Sequence, residues 1–158
     1  KRQTLKCKVT VTKKQAAKKN AKTAGKKNTT SDISLQKKVI SIVNKNRKKK
    51  GLEALTMDEK LMKAAQDRAK ELTKSFSHTR PNGTSCFTIF EKYKITPTAS
   101  GENIAAGQRS AAAVMDSWMN SPGHKENIMN NRFKKIGVGL VIVPNDMYSY
   151  YWVQMFTE

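Results

Sequence analysis

The chain has 158 residues and a formal net charge of +19 at pH 7, with 37% hydrophobic and 7% aromatic residues. That hydrophobic share excludes a wholly disordered chain, and no run approaches the roughly 20 apolar residues that a membrane-spanning helix needs. The charge is uneven, because residues 1–50 hold 18 basic side chains against one acid, whereas residues 51–158 hold 13 basic and 11 acidic ones. The composition therefore predicts one domain of ordinary charge behind a basic leader.

The leader is predicted to have two parts. In residues 1–12, apolar and polar side chains alternate from Leu5 to Thr12, which indicates a strand. This run resembles the last strand of an upstream bacterial immunoglobulin-like module. Residues 13–30 contain no apolar residue larger than alanine and are predicted to be a basic linker.

Residues 1–50 are also a candidate contact surface for an anionic cell-wall polymer or lipid. Nucleic acid is not favoured as a partner, because the lysines are not interleaved with aromatic residues that stack on bases.

Helices come first in the main domain, which is predicted to span residues 31–158. Asp32 or Ser34 can cap a first helix that runs to about Lys49, and Gly51 is a suitable stop. Its inward stripe recurs at helical spacing and consists of Leu35, Val39, Ile42, Val43 and Asn46.

A second helix is predicted to begin at a capping box formed by Thr56 and Glu59 and to end near Ser75. Its inner face is rich in small residues that permit close packing. That face consists of Leu61, Ala64, Ala65, Arg68, Ala69 and Leu72.

Three shorter helices are predicted next, over residues 84–92 and over residues 111–120, and then from Pro122, in a helix that holds His124, Ile128 and Met129. The period then changes to that of two strands, 136–143 and 148–156, which a turn joins into an antiparallel hairpin.

The strand residues Gly137 and Gly139 indicate a close approach between a helix and the sheet. On the returning strand, Tyr148, Tyr150 and Trp152 are predicted to share one face. Helices first and strands last predict an α+β layered domain.

Both histidines of the chain lie in distinctive motifs, and a third motif lies between them. The three motifs are Phe76-Ser77-His78-Thr79-Arg80, Gly101-Glu102-Asn103-Ile104-Ala105 and Ser121-Pro122-Gly123-His124-Lys125-Glu126-Asn127. Two imidazoles and a carboxylate are suitable donors for a metal or general-base site if the fold brings them together. The alternative is that each histidine is an ordinary hydrogen-bonded residue.

In this order, the motifs resemble the CAP superfamily of cysteine-rich secretory proteins, antigen 5 and pathogenesis-related proteins, and most of all its bacterial secreted SCP-domain branch. The resemblance spans residues 35–156. Its further segments are Asn44-x-x-Arg47, Trp118-Met119-Asn120-Ser121, Ile136-Gly137-Val138-Gly139 and Tyr151-Trp152-Val153-Gln154-Met155-Phe156. The resemblance implies a three-layer α-β-α sandwich with an antiparallel sheet.

The resemblance also implies a cleft, which in the family holds two histidines and two acids. His78, Glu102 and His124 match three of these positions, but residues 118–122 contain no carboxylate where many members carry the fourth. The three residues are the expected ligands of zinc or another divalent metal, with no organic cofactor. Glu102 is a third ligand or instead orients an imidazole N–H, and the metal-free alternative is two histidines hydrogen-bonded to it.

The resulting prediction is a secreted or cell-surface domain that acts as a binding module for a divalent metal, a lipid, or a cell-envelope or host ligand. One alternative is a metal-assisted hydrolase of peptide or ester bonds, in which His78, Glu102 and His124 would be catalytic. Another is a structural or adhesive module with a vestigial cleft. An enzyme is not favoured, since a fold and a cleft do not establish a reaction.

The chain has two cysteines, Cys7 and Cys86, and neither belongs to a CxxC pair. A disulfide between them is one option, and two thiols are the preferred one. Cys86 has a candidate base in His78, but no cysteine-protease motif surrounds it.

Overall fold

The computed structural model describes residues 3–4, 9–11 and 30–158 of the chain. The strands of this part are β1 (Gln3–Thr4), β2 (Val9–Val11), β3 (Thr56–Met57), β4 (Ala99–Ala106), β5 (Lys135–Ile142) and β6 (Tyr150–Thr157). The helices are α1 (Thr30–Lys48), α2 (Glu59–Leu72), α3 (Ile89–Lys92), α4 (Ala111–Met119) and α5 (Pro122–Met129), and a 3₁₀ turn (Cys86–Thr88) precedes α3.

The strands form one sheet whose centre is antiparallel. β6 pairs with β4 on one side and β5 on the other, with Glu102 opposite Met155 and Gly139 opposite Val153. β3 adds to β5 in parallel, and β1 and β2 add to β4 in parallel. The predicted hairpin and the α+β class are confirmed.

Helices cover both faces of this sheet, which produces the predicted three layers. One apolar core lies between the sheet and α2 with α3, and contains Leu61, Ala65, Leu72, Phe90, Ile104, Val153 and Met155. The other lies between the sheet and α1, α4 and α5, and contains Val39, Val43, Val114, Trp118, Ile128, Leu140 and Trp152.

The predicted sharing of faces on β6 is wrong for one residue. Tyr150 and Trp152 belong to the core beneath α1, α4 and α5, whereas Tyr148 packs with the α2 core. The strand begins only at Tyr150, and Ser149 has a left-handed backbone with φ of 62°. That residue interrupts the alternation of side chains between the two faces.

The predicted capping box of α2 is also wrong. The cap is Asp58, whose side chain accepts a hydrogen bond of 2.9 Å from the Leu61 N–H. Thr56 lies instead in β3, where its N–H donates to the Lys134 carbonyl at 2.8 Å. Thr56 is therefore part of a paired strand and does not cap the helix, which begins at Glu59.

Gln66 on α2 forms hydrogen bonds with backbone groups on the edge of β5, at a position where no neighbouring strand of the described residues pairs with them. Its Nε2 donates to the Leu140 carbonyl at 2.8 Å, and its Oε1 accepts from the Leu140 N–H at 3.0 Å. A side-chain amide thus replaces a neighbouring strand at this position, which protects the sheet edge from pairing with another chain.

Asp67 on α2 ties that helix to the end of α3. Its carboxylate accepts hydrogen bonds from Lys92 at 2.6 Å, Tyr93 at 2.7 Å and Lys70 at 2.9 Å. Burial acts to raise the pKa of this carboxyl, but these three donors outweigh burial and lower the pKa to about 2.

Replacing Asp67 by asparagine should reveal this pKa shift as a pH-dependent loss of stability. A depressed folded-state pKa contributes stability that is present above about pH 4 and is lost as the pH falls towards 2. We expect the free energy of unfolding of Asp67→Asn at pH 6 to be about 1–2 kcal/mol lower than that of wild type. Urea unfolding of both proteins at pH 6, 4 and 2.5 checks this prediction. If the difference in unfolding free energy between wild type and Asp67→Asn is the same at pH 2.5 as at pH 6, the prediction is wrong.

Several predictions fall on residues that the structure does not describe. They include the basic linker up to residue 29 and Cys7, so the Cys7–Cys86 pairing stays a prediction. The upstream module also stays a prediction, although the described strands β1 and β2 extend the sheet of this domain. No helix within the described residues is long and apolar enough to cross a membrane.

Candidate functional site

Strand β4 sends consecutive side chains of its central motif to opposite faces of the sheet. Glu102 faces α2, where Arg68 contacts it, and Asn103 faces α5, where it contacts His124 and Asn127. This alternation follows from the two-residue period of a strand. The motif therefore contributes to two separate layers.

Glu102 is fully buried and forms an ion pair with Arg68, which is also fully buried. Arg68 Nε donates to Oε2 at 2.9 Å, and Nη2 donates to Oε1 at 3.3 Å. Burial acts to lower the pKa of the Arg68 guanidinium, but the charge of Glu102 and the hydrogen bonds that Arg68 donates to the carboxylates of Glu102 and Glu71 outweigh burial and raise it. Both carboxylate oxygens of Glu102 are thus engaged.

A second acid, Glu71, continues this network towards solvent. It pairs with Arg68 at 2.6 Å and with Arg80 at 2.7 Å. Burial acts to raise the pKa of the Glu71 carboxyl, yet the hydrogen bonds from Arg80 and Arg68 lower it. Arg80 Nη1 also donates to Thr88 at 3.0 Å, which ties the loop carrying His78 to the start of α3.

His78 lies at the edge of this network, with 21% of its side chain exposed. Its Nδ1 is 2.8 Å from Glu102 Oε1. The preceding residue is fixed as well, because Arg68 Nη2 donates to the Ser77 carbonyl at 2.9 Å. One buried arginine thus holds both the acid beside the imidazole and the backbone leading to it.

Cys86 is the third potential donor at this site, and it is almost fully buried. The segment from His78 closes on itself through a bridge between Thr79 and Ser85, and the Cys86 N–H donates to the His78 carbonyl at 3.0 Å. A ring nitrogen of His78, the Cys86 Sγ and a carboxylate oxygen of Glu102 all lie within 4.8 Å of one another.

His124 occupies a different position from the other two predicted ligands. It is fully buried on α5, in the layer across the sheet from α2, and it does not belong to the His78, Cys86 and Glu102 group of the described residues. Its carbonyl accepts from Asn103 Nδ2 at 3.0 Å, and Asn127 Nδ2 donates to Asn103 Oδ1 at 2.8 Å. These amides fasten α5 to β4.

Two surface cavities lie beside the segment 94–98, with volumes of about 600 and 490 Å³. Neither is lined by His78, Glu102 or His124. The His78 site is therefore a compact cluster of donors and is separate from both cavities.

The sequence analysis did not identify Arg68 as a residue of this site, and it did not identify Cys86 as a potential metal ligand. Arg68 was assigned to the inner face of α2 among alanines and leucines, and a charged residue at a core position requires a buried counter-charge. The need of a buried arginine for a buried acid could therefore have predicted the pairing of Arg68 with Glu102. Cys86 carried no comparable signal, since it is brought beside His78 by the Thr79–Ser85 bridge and by the hydrogen bond from its N–H to the His78 carbonyl.

The chain resembles bacterial proteins over most of its length. It is 39% identical over 126 residues to the uncharacterized protein YkwD of Bacillus subtilis, which covers 75% of this chain and 49% of that protein. It is 28% identical over 107 residues to the membrane protein YlbC of the same organism, which covers 66% of this chain and 31% of that protein. The chain thus spans half or less of these two relatives.

Solved structures share the fold. An outer surface protein from Borrelia burgdorferi matches with a TM-score of 0.73 and 28% identity, over 86% of this chain and 98% of that one. An extracellular SCP-domain protein from Bacillus anthracis matches with a TM-score of 0.72 and 24% identity, over 85% and 45% of the two chains. The model of the CAP, or cysteine-rich secretory protein, family matches residues 40–156. The chain therefore belongs to the CAP family, and its structural neighbours include bacterial SCP-domain proteins.

Proposed function

We propose that this domain is a secreted or surface-displayed binding module that takes up a divalent metal ion, with zinc as the best fit, at the His78 site. The single observation that supports the proposal most is the placement of His78, Cys86 and Glu102 donors within 4.8 Å of one another. Imidazole and thiolate are donors that zinc prefers. Secretion is supported by the two structural relatives described as an outer surface protein and an extracellular protein.

His78 and Cys86 are the residues that would hold the ion, and Glu102 would orient His78. Metal-binding histidines usually donate their other ring N–H to a carboxylate, and His78 Nδ1 lies 2.8 Å from Glu102 Oε1. Direct coordination by Glu102 is less favourable, because Arg68 already donates to both of its oxygens. A bound metal would supply a Lewis-acidic centre beside the imidazole.

The ligand set predicted from the sequence, His78 with Glu102 and His124, stays a prediction that competes with the set containing Cys86. Either set offers at most three protein donors, whereas a closed structural zinc site needs four. We therefore propose an affinity that is weaker than that of a structural zinc site, at micromolar levels or worse.

Isothermal titration of the full chain with zinc chloride tests the proposal. We expect a zinc isotherm for wild type that is lost in His78→Ala and in Cys86→Ser and is kept in His124→Ala. Substitution with cobalt should produce a thiolate-to-metal absorption band that Cys86→Ser abolishes and Cys7→Ser keeps, because the band requires a thiolate ligand and Cys86 is the cysteine of this site. Circular dichroism of each variant controls for folding.

The outcomes separate the two ligand sets. Loss of zinc binding in His124→Ala with retention in Cys86→Ser would restore the sequence-based set. A wild-type chain that gives no zinc heat, or a His78→Ala variant that matches wild type, would overturn metal binding at this site.

A metal-assisted hydrolase is the second candidate, and the His78–Glu102 hydrogen bond favours it. An imidazole oriented by a carboxylate is a suitable general base. Hydrolysis of a peptide or ester that is abolished by a chelator and by Glu102→Gln would support this function. Glutamine is chosen since it keeps the size of the buried side chain. If neither zinc binding nor hydrolysis is found, the structural or adhesive module predicted from the sequence is favoured.

A further inference from the structure

One side of α1 and of the turn after it carries only lysine and serine at its exposed positions, and the exposed Ile33 lies outside this arc. With about 100° between successive residues, seven exposed positions fall within an arc of about 120°. They are Ser34, Lys37, Lys38, Ser41, Lys45, Lys48 and Lys49. We call these seven residues the lysine stripe. From Lys37 to Lys49 the stripe is about 18 Å long, at about 1.5 Å of rise per residue.

No lysine of the stripe forms an ion pair with an acid within residues 32–158. The ion pairs of that region join Arg68, Lys70, His78, Arg80, Lys92 and Lys134 to acids, and no α1 lysine takes part. Like charges at neighbouring positions of a helix, such as Lys45 and Lys48 at i and i+3, destabilise the helix. Repulsion among the lysines of the stripe therefore destabilises the folded domain, and no ion pair with a nearby acid of that region offsets this repulsion.

Helix stability does not account for the whole stripe. Lys45 and Lys48 lie in the last turn, where cations interact favourably with the helix dipole. Lys37 and Lys38 lie in the middle of the 19-residue helix, beyond the reach of that effect. A binding role explains all the lysines with one cause.

The other face of α1 is committed to the core, so the stripe has only charge and hydroxyl groups to offer. Val39, Ile40 and Val43 are buried against the sheet. Membrane-surface helices need an apolar face that enters the lipid, and single-stranded nucleic acids are bound through aromatic stacking. The stripe has neither feature.

We propose that the lysine stripe of α1 is a docking surface for a linear polyanion with repeating phosphate groups. A row of lysines matches a flexible chain of charges, and binding releases counterions from both partners. The 11 basic residues of positions 1–31 precede α1 in the sequence and add to the same attraction. This surface is distinct from the His78 site.

Titration of the full chain with inorganic polyphosphate tests the proposal. The test variant carries Lys37→Gln, Lys38→Gln, Lys45→Gln and Lys48→Gln. The matched control removes the same charge from α2 and its end, with Lys60→Gln, Lys63→Gln, Lys70→Gln and Lys74→Gln, where the acids Glu59, Asp67 and Glu71 lie among the lysines. Affinities are measured in about 50, 100 and 200 mM salt, because screening distinguishes electrostatic contacts.

We expect the test variant to bind polyphosphate at least about tenfold more weakly and the slope of log affinity against log salt to flatten by about three. The control should stay within about threefold of wild type. The test variant should melt at the same temperature or higher, since like-charge repulsion is removed.

Three results would overturn the proposal. Equal losses in the two variants would assign binding to net charge, and no loss in either would assign it to residues outside the stripe. Tighter binding to phosphatidylglycerol vesicles than to polyphosphate, with dependence on the same four lysines, would identify a membrane surface as the partner.

Discussion

Gly139→Ala is expected to destabilise the domain by at least about 3 kcal/mol, because it forces the backbone of α2 away from the backbone of β5. An added Cβ at Gly139 would lie 2.0 Å from the Ala65 carbonyl oxygen and 2.4 Å from its carbon. These contacts are with main-chain atoms of a helix, so no side-chain rotation relieves them. Urea unfolding measures the loss directly.

The close contact repeats along the two elements, which increases the expected effect. A Cβ at Gly137 would lie 2.2 Å from the Leu61 carbonyl carbon. Two residues along a strand advance about 6.6 Å, and four along a helix advance about 6.0 Å, so Gly137 and Gly139 meet Leu61 and Ala65 in register. Moving the helix away at one glycine therefore loosens the packing at the other.

Gly51→Ala is the matched control for this prediction. Gly51 has a φ of 68°, and an added Cβ would meet no atom within 4 Å. The change therefore isolates backbone strain, which costs about 1–2 kcal/mol. A loss for Gly139→Ala no larger than the loss for Gly51→Ala would show that α2 yields easily and would contradict the close-packing argument.

The helix–sheet contact was predictable from sequence, because its signals are local. The alanines of the second helix and the Gly137 and Gly139 pair each indicate a surface without side-chain bulk, and the structure brings these surfaces together. The inward-facing stripe of the first helix and the closing hairpin were also predicted from the periodicity of apolar residues. Local patterns therefore predicted the layers.

Strand β4 was not predicted, because its residues carry little strand propensity. The run Ala99–Ala106 contains one β-branched residue, Ile104, among alanines, a glycine and polar side chains. Its conformation follows from pairing with β6 over seven residues and from burial on both faces. Those causes are tertiary, and a strand propensity scale does not include them.

The site was predicted only in part for a related reason. His78 and Glu102 were identified from their motifs, and the structure joins them at 2.8 Å. The direction in which each side chain points depends on the register of β4, which sends Glu102 to one layer and Asn103 to the other. A sequence without an assigned strand here could not show that His124 lies on a helix of the opposite layer.

Arg68→Leu is expected to destabilise the domain by about 3–5 kcal/mol, because it leaves the fully buried Glu102 carboxylate without its cationic partner. The same change removes the donor to the Ser77 carbonyl, so the backbone before His78 loosens. We therefore expect a raised His78 mobility in NMR relaxation and a weaker zinc isotherm, together with a lower urea midpoint.

A double-mutant cycle separates the charge effect from loss of packing. Arg68→Leu combined with Glu102→Leu removes both buried charges, and replacing a buried ion pair by apolar residues is often close to neutral. The double variant should therefore recover much of the stability lost by Arg68→Leu. Arg80→Leu is the control, since its partner Glu71 is partly exposed, and it should cost only about 1 kcal/mol. If the two single losses simply add in the double variant, Arg68 and Glu102 are not coupled, and Arg68 does not hold the acid that orients His78.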